Sequence, residues 1–179
     1  MAKARPDPPP RIGYAEAMHS AHFVAAPLLT AAALSLAGVV AGADKQFLLP
    51  GPALLLLVIT SMVLIASMQL SYDARQWLFT RQAMYDHLSG SYWRDNPQER
   101  DSKADEEFHA AQVLWVAGNT NAVRCYNAGT VLLGLGVAVA LAPPDCGKQL
   151  AARWIATGIV ALGTLLDARW MVRMWRQPS

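Results

Sequence analysis

Four long apolar runs constrain the fold of this chain more than any other feature of its sequence. Phe23 to Ala43 carries no charged side chain over 21 residues, enough for a helix to cross a hydrocarbon core of about 30 Å. Ala53 to Leu70 and Cys125 to Ala142 are two further uncharged runs. Because backbone polar groups inside a bilayer must be satisfied internally, these runs predict helices. We therefore expect an all-α integral membrane protein.

The fourth run is shorter and is bounded by charges. Its uncharged centre, Trp154 to Leu166, has 13 residues, so it crosses a membrane only if Arg153 snorkels outward and Asp167 and Arg169 lie at the inner boundary. A composition of 54% hydrophobic and 16% charged residues favours a membrane protein over a soluble domain. The predicted transmembrane segments are residues 14–43, 50–70, 125–142 and 150–172.

The distribution of Lys and Arg predicts the orientation of the spans. The Pro-rich tail 1–13, the central stretch 71–124 and the C-terminal end contain 12 of the 15 basic residues. The positive-inside rule then places both termini, including the tail 173–179, and the central stretch in the cytoplasm. We expect a multi-pass protein of a plasma (inner) membrane, and the richness in Ala, Arg and Trp is typical of a high-GC bacterium. A formal net charge of +2 gives no support for nucleic-acid binding.

The central stretch 71–124 is the longest polar segment, and its pattern predicts a helical hairpin. Residues 71–88 contain no Gly or Pro and carry apolar side chains at helical spacing. Ser102 resembles a helix N-cap with acidic residues after it, which predicts a second helix over 103–124. Both helices are expected to continue spans two and three and to be joined by a loop near Ser89 to Asp101.

Clustered ionisable residues near the predicted hairpin tip suggest a divalent metal site. Asp86 and His87 lie on the first helix, and Glu106 and His109 have the i, i+3 spacing that presents a carboxylate and an imidazole together. The alternative is that these four side chains are solvated. His19 and His22 pose a similar choice between a haem or metal pair and local hydrogen bonding.

Polar and small residues in the spans are candidates for a pore lining or for helix packing. Thr60, Ser67 and Ser71 share one face of span two, and the helix-contact spacing G-x-x-x-G occurs in span one. Ionisable groups at the inner ends of spans three and four either pair, snorkel or line an ion path. The remaining residues in these two groups are Gly38, Gly42, Asn127, Arg124 and Asp167.

No catalytic motif stands out in the chain. Cys125 and Cys146 show no metal or redox spacing, and no phosphate-binding loop, Ser-His-Asp set or dinucleotide fingerprint is present. In layout alone, membrane hairpins with long cytoplasmic helices resemble small transmembrane effectors of bacterial nucleotide-signalling defence systems. That resemblance rests on no signature residue and implies no site.

Three functional hypotheses follow from these features. The leading one is a non-enzymatic, homo-oligomeric membrane protein that forms or gates an ion-conducting pore, with the cytoplasmic hairpin used for assembly or for sensing a protein or small-molecule partner. The first alternative is a membrane anchor or scaffold subunit for a cytoplasmic or membrane partner. The weaker alternative is a metal- or haem-dependent membrane enzyme.

Overall fold

The computed structural model describes residues 20–90, 95–144 and 150–175, which are helical apart from short connections. Four helices are long and apolar enough to cross a membrane, and no strand occurs within the described ranges. These helices are Ala21–Gly42, Pro50–Arg75, Pro97–Leu141 and Leu150–Arg173. The predicted all-α fold and the four helices of spanning length are therefore confirmed.

The first long helix begins with a wide turn. A π-helical turn at Ala21–Ala25 leads into helix α1, Ala26–Gly42. The N–H of Ala26 bonds to the carbonyl of Ala21, five residues back, and Pro27 has no N–H to continue the regular ladder. The buried residues of α1 follow steps of four and three, so that one narrow face of small side chains packs inward: Ala26, Thr30, Ala33, Ala37 and Val40.

Helix α2, Pro50–Arg75, follows α1 after a 3₁₀ turn at Asp44–Gln46. Pro50 occupies the first helical turn, where its missing N–H costs no hydrogen bond. The short connection makes α1 and α2 antiparallel neighbours. Their buried faces meet in an apolar core that includes Ala140 from a later helix: Ala33, Ala37, Val40, Ala53, Leu57 and Ala140.

The predicted continuous helix over residues 71–88 is wrong. α2 ends at Arg75, where the N–H of Gln76 bonds to the carbonyl of Asp73 in a tightened last turn. Thr80 then caps a separate short helix α3, Arg81–His87, by accepting a hydrogen bond from the N–H of Ala83. Thr80 has the side chain of an N-cap, and the absence of Gly and Pro does not by itself keep a helix continuous.

Helix α4, Pro97–Leu141, has 45 residues, which correspond to about 67 Å at 1.5 Å per residue. It joins the predicted helix 103–124 and the predicted span 125–142 without a break. The expected start at Ser102 is corrected to Pro97, with Asn96 as the capping residue. Proline fits the first helical position because its N–H would be unsatisfied there, and Glu99 in the first turn favours the helix dipole.

α2 and α4 pack along a seven-residue repeat. A Cβ atom added to Gly118 would lie 2.9 Å from the Cβ of Ala74, and one added to Gly129 would lie 2.6 Å from Cδ2 of Leu64. Because position numbers rise on one helix as they fall on the other, the helices run antiparallel. The α2 positions follow the alternating four- and three-residue steps of knobs-into-holes packing: Ala53, Leu57, Thr60, Leu64, Ser67, Ser71 and Ala74.

Helix α5, Leu150–Trp175, packs mainly on α4 and leaves most of its surface open. Gly134 of α4 faces Thr164 of α5 closely. Only 6% of the most apolar 18-residue stretch of α5 is buried. The outward side chains of this helix are large and apolar. Such a surface suits lipid contact, in agreement with a spanning helix.

Candidate functional site

An apolar groove lies between the short helix α3 and the polar half of α4. It has a volume of about 560 Å³. A small core, in which Met84 of α3 and Leu88 just after it pack against Ala104 of α4, holds its two walls together. Trp77 and Phe79, in the connection before α3, close one end. The groove is lined by Trp77, Phe79, Ala83, Met84, His87, Glu107, Ala110, Ala111 and Leu114.

Small side chains on α4 create the space in the groove. Ala110 and Ala111 form part of the lining, one turn from Glu107 and Leu114 on the same helix face. The short alanine side chains leave space beside α3, while the Met84, Leu88 and Ala104 cluster and the Arg100 guanidinium, 5.5 Å from the Tyr85 ring centroid, join the two walls. The groove therefore results from the way in which α3 packs on α4.

The walls of the groove expose large apolar side chains. Trp77 is 41% exposed, Phe79 is 44% exposed and Leu114 is 47% exposed. Leu78 and Val113 beside them are also exposed. A cluster of exposed apolar side chains around a concave surface marks an interaction site more often than a free surface.

A belt of exposed side chains separates this groove from the apolar surface of the spans. Gly118 lies opposite Ala74, so the α4 residues just after Gly118 are level with the last turns of α2. At this level both helices expose polar, charged or tyrosine side chains, which suit a membrane–water boundary: Gln69, Tyr72, Asp73 and Gln76 on α2, with Thr120, Asn121 and Arg124 on α4.

The four predicted metal ligands do not form one cluster. The carboxylate of Asp86 accepts a hydrogen bond from the Gln82 amide at 3.0 Å and lines a second, polar cavity that does not include His87. Glu106 accepts from Lys103 at 3.5 Å, and the His109 ring lies against Phe108. Among the described residues, no group of three or more His, Cys, Asp or Glu side chains is placed to hold a metal ion.

The polar residues of span two lie inside the chain. Thr60, Ser67 and Ser71 are buried on the α2 face that packs on α4. The Thr60 hydroxyl donates to the carbonyl of Leu56 at 2.7 Å, and the Ser67 hydroxyl donates to Leu64 at 2.8 Å. Of the two readings that the sequence left open, these contacts favour helix packing over a pore lining.

Gly38 and Gly42 lie on the outer face of α1. A Cβ atom at either position would meet nothing within 4 Å among the residues considered. The inward face of α1 uses alanines and valine instead. Among the residues that the structure describes, the predicted contact at Gly38 and Gly42 is therefore not made.

Arg124 of α4 and Asp167 of α5 lie on neighbouring helices near the same end of the bundle. Gly134 faces Thr164, which puts Asp167 of α5 about level with Val131 of α4. Arg124 lies seven residues further along α4, about 10 Å at 1.5 Å per residue. Both side chains are exposed, and the carbonyl of half-buried Asn127 accepts a hydrogen bond from Thr130 at 2.8 Å. The backbone register therefore offsets the two residues by about 10 Å along their helices.

Contacts of the π-helical turn connect the start of α1 to the end of the bundle at which α2 finishes. His22 is fully buried, and its ring centroid lies 5.5 Å from that of Tyr126 on α4. The Arg75 guanidinium lies 4.7 Å from the ring centroid of Phe23. His19 falls outside the described residues. His22 therefore acts at least as a packing residue between α1 and α4.

The groove was not predicted from the sequence. The prediction of one continuous helix over 71–88 assigned Trp77 and Leu78 to an apolar stripe on that helix and placed no connection there. A cluster of aromatic residues one or two turns past an uncharged span, followed by Thr80 as a capping residue, is the signal that could have indicated it. Ala111, within the predicted second helix 103–124, lines the groove.

The sequence matches no protein-family model, and comparisons with curated proteins and with solved structures find no match.

Proposed function

We propose that this chain is a non-enzymatic membrane anchor that presents the groove between α3 and α4 to a protein partner in the cytoplasm. The observation that carries the proposal is the apolar groove itself, with Trp77, Phe79 and Leu114 exposed along its walls. Grooves of this kind on paired helices bind the apolar faces of partner segments. The four apolar helices supply the attachment to the membrane.

The outward faces of the helices support an anchor more than a pore. Exposed side chains on α5 include Ile155, Ile159, Leu162 and Leu165, and α2 exposes Leu55. The hydroxyl side chains of α2 are used inside the chain. Copies placed side by side would bring apolar surfaces together and would leave a channel without the polar lining that conduction requires.

The cytoplasmic side is inferred from the positive-inside rule. The tail, the central stretch and the C-terminal end contain 12 of the 15 basic residues. The groove belongs to the central stretch, so it faces the cytoplasm in this orientation.

Site-specific photocrosslinking in cells tests the proposal. A benzophenone side chain introduced at Ala110, in the groove, is expected to give one crosslinked product with a protein partner. The same side chain at Gln112, which is exposed but does not line the groove, serves as the matched control. Equal products from both positions, or lipid adducts alone from Ala110, would contradict the proposal.

A homo-oligomeric pore is the second candidate. It is supported by the outer face of α1, where small exposed residues recur at steps of four and three: Ala31, Ser35, Gly38 and Gly42. Small residues at such spacing allow two membrane helices to approach closely. Single-channel recording in planar bilayers separates the candidates, because the anchor gives no conductance steps, whereas unitary currents that Gly38→Leu abolishes would favour the pore.

A further inference from the structure

We infer that the segment which binds this groove is a short amphipathic helix with an apolar face and flanking basic residues, contributed by a protein partner. This inference rests on the proposed function and adds the chemistry of the partner. It follows from the length of the groove, the charges around it and its separation from the lipid-facing surface.

The length of the groove fits about two turns of helix. Its α4 wall runs from Glu107 to Leu114, seven residues and therefore about 10 Å. Lining positions at 107, 110, 111 and 114 form one continuous helix face. A partner helix alongside it would insert apolar side chains at i, i+4 and i+7, with Trp77 and Phe79 of this chain closing over one end.

The α4 side of the groove is acidic. Between Pro97 and Leu114 the sequence has five acidic and two basic residues. Both basic side chains already face acidic neighbours, since Arg100 lies 3.5 Å from Asp101 and Lys103 lies 3.7 Å from Glu107. Glu107 itself is part of the lining. A partner with basic residues beside its apolar face would complement this field, gaining specificity and a faster association rate.

Other occupants fit these observations less well. A second copy would bring an equally acidic groove against this one, so like charges would oppose the contact. The exposed belt of Gln69, Tyr72, Asp73 and Gln76, with Thr120, Asn121 and Arg124, lies between the groove and the apolar surface of the spans, where lipid would pack. Anionic headgroups would also be repelled by the acidic residues around Glu107.

Peptide binding to the full chain in nanodiscs of zwitterionic lipid tests this inference. The probe is a fluorescent Leu/Lys amphipathic helix of about 14 residues, long enough to form helix, and its twin has every Lys replaced by Glu. Fluorescence anisotropy is expected to show that the Lys peptide binds at least about tenfold more tightly than the Glu peptide. The preference should shrink as salt rises from about 50 mM to about 300 mM. Nanodiscs without protein correct for partition into lipid.

Two pairs of variants locate the binding. Ala110→Trp fills the groove and should weaken the Lys peptide at least about tenfold, whereas Gln112→Trp, about 200° away around α4, should leave it unchanged. Glu107→Lys should weaken the Lys peptide by about tenfold and strengthen the Glu peptide. Its control is Glu106→Lys, which changes the same charge at an exposed neighbour that also contacts Lys103 and should change affinity less than about threefold.

The outcomes separate this inference from the proposed function. If Ala110→Trp weakens both peptides and the two bind equally, the groove is a docking site but the basic partner is wrong. If Ala110→Trp leaves the affinity of the peptides unchanged, or neither peptide binds, both the partner chemistry and the proposed docking function are contradicted. Disulfide-linked dimers formed through Ala110→Cys in nanodiscs would show a second copy in the groove and would also overturn the inference.

Discussion

Individual residues determine how closely the helices of the bundle approach each other. Gly118 and Ala74 meet where α4 crosses the end of α2, with 2.9 Å between the Ala74 Cβ and the position of a Cβ on Gly118. The neighbouring atoms are an alanine side chain and its backbone, which cannot rotate away. Gly158 on α5, in contrast, faces open space, with nothing within 4 Å of an added Cβ.

Gly118→Ala should therefore destabilise the protein by about 1–3 kcal/mol, because the added methyl forces α2 and α4 apart. Gly158→Ala is the matched control, and it should be neutral or stabilising by up to about 1 kcal/mol because alanine favours helix. Thermal unfolding in detergent measures both variants. An equal or higher melting temperature for Gly118→Ala would contradict the close packing of α2 on α4.

The uncharged runs allowed the membrane helices to be predicted from the sequence. For the polar and small residues within those helices, the sequence predicted which residues share a face but not what that face contacts. The grouping of Thr60, Ser67 and Ser71 on one face was derivable from helical periodicity. Periodicity did not show whether that face packs on another helix of the chain or lines a water-filled pore, because the answer depends on where the other helices lie. The same limit applies to Gly38 and Gly42, whose spacing fits a contact that the described part of the chain does not make.

At the scale of helices, the structure differs from the sequence prediction mainly in where the helices begin and end. The apolar runs predicted the long helices because crossing a membrane requires length and hydrophobicity together. The break at residues 76–80 was not predicted, since Trp77, Leu78 and Phe79 are compatible with helix and no Gly or Pro interrupts them. Thr80 caps a new helix, α3, so residues 76–80 form a connection between two helices. The aromatic residues of this connection lie at the groove.

Thr80→Ala should loosen α3 because it removes the acceptor for the Ala83 N–H, a cap worth about 1 kcal/mol. Hydrogen–deuterium exchange is expected to become faster in residues 81–87 and to stay unchanged in the apolar centre of α2. Thr120→Ala is the control, because Thr120 donates to the carbonyl of Val116 inside a long helix and caps nothing. Unchanged exchange in α3 would show that its packing on α4, and not the cap, determines its stability.

At the scale of the whole molecule, one arginine links three parts of the chain at the end opposite the groove. Arg153 of α5 donates hydrogen bonds to the carbonyls of Leu141 and Ala140 at the end of α4, and to Gln46 between α1 and α2. The last carbonyls of a helix lack partners within it, so a cation there is favourable. The sequence predicted only that this side chain would reach outward.

Arg153→Met should keep much of the apolar packing but remove these hydrogen bonds, at a cost of about 1–2 kcal/mol. For a chain of this size that corresponds to about 2–4 °C in melting temperature for each kcal/mol. Arg173→Met, which removes an exposed arginine near the other end of α5, should change the melting temperature by less than about 1 °C. Equal losses for the two variants would contradict a specific role for Arg153.

Labelling of single cysteines tests the central claim most directly, namely that a membrane-anchored chain presents a water-accessible groove to the cytoplasm. In a background with Cys125→Ser and Cys146→Ser, a membrane-impermeant maleimide is applied to intact and to lysed bacterial cells. We predict that Ala110→Cys reacts only after lysis, whereas Lys45→Cys, on the opposite side, reacts in intact cells. Reaction of Ala110→Cys in intact cells, or its protection in both conditions, would contradict the account.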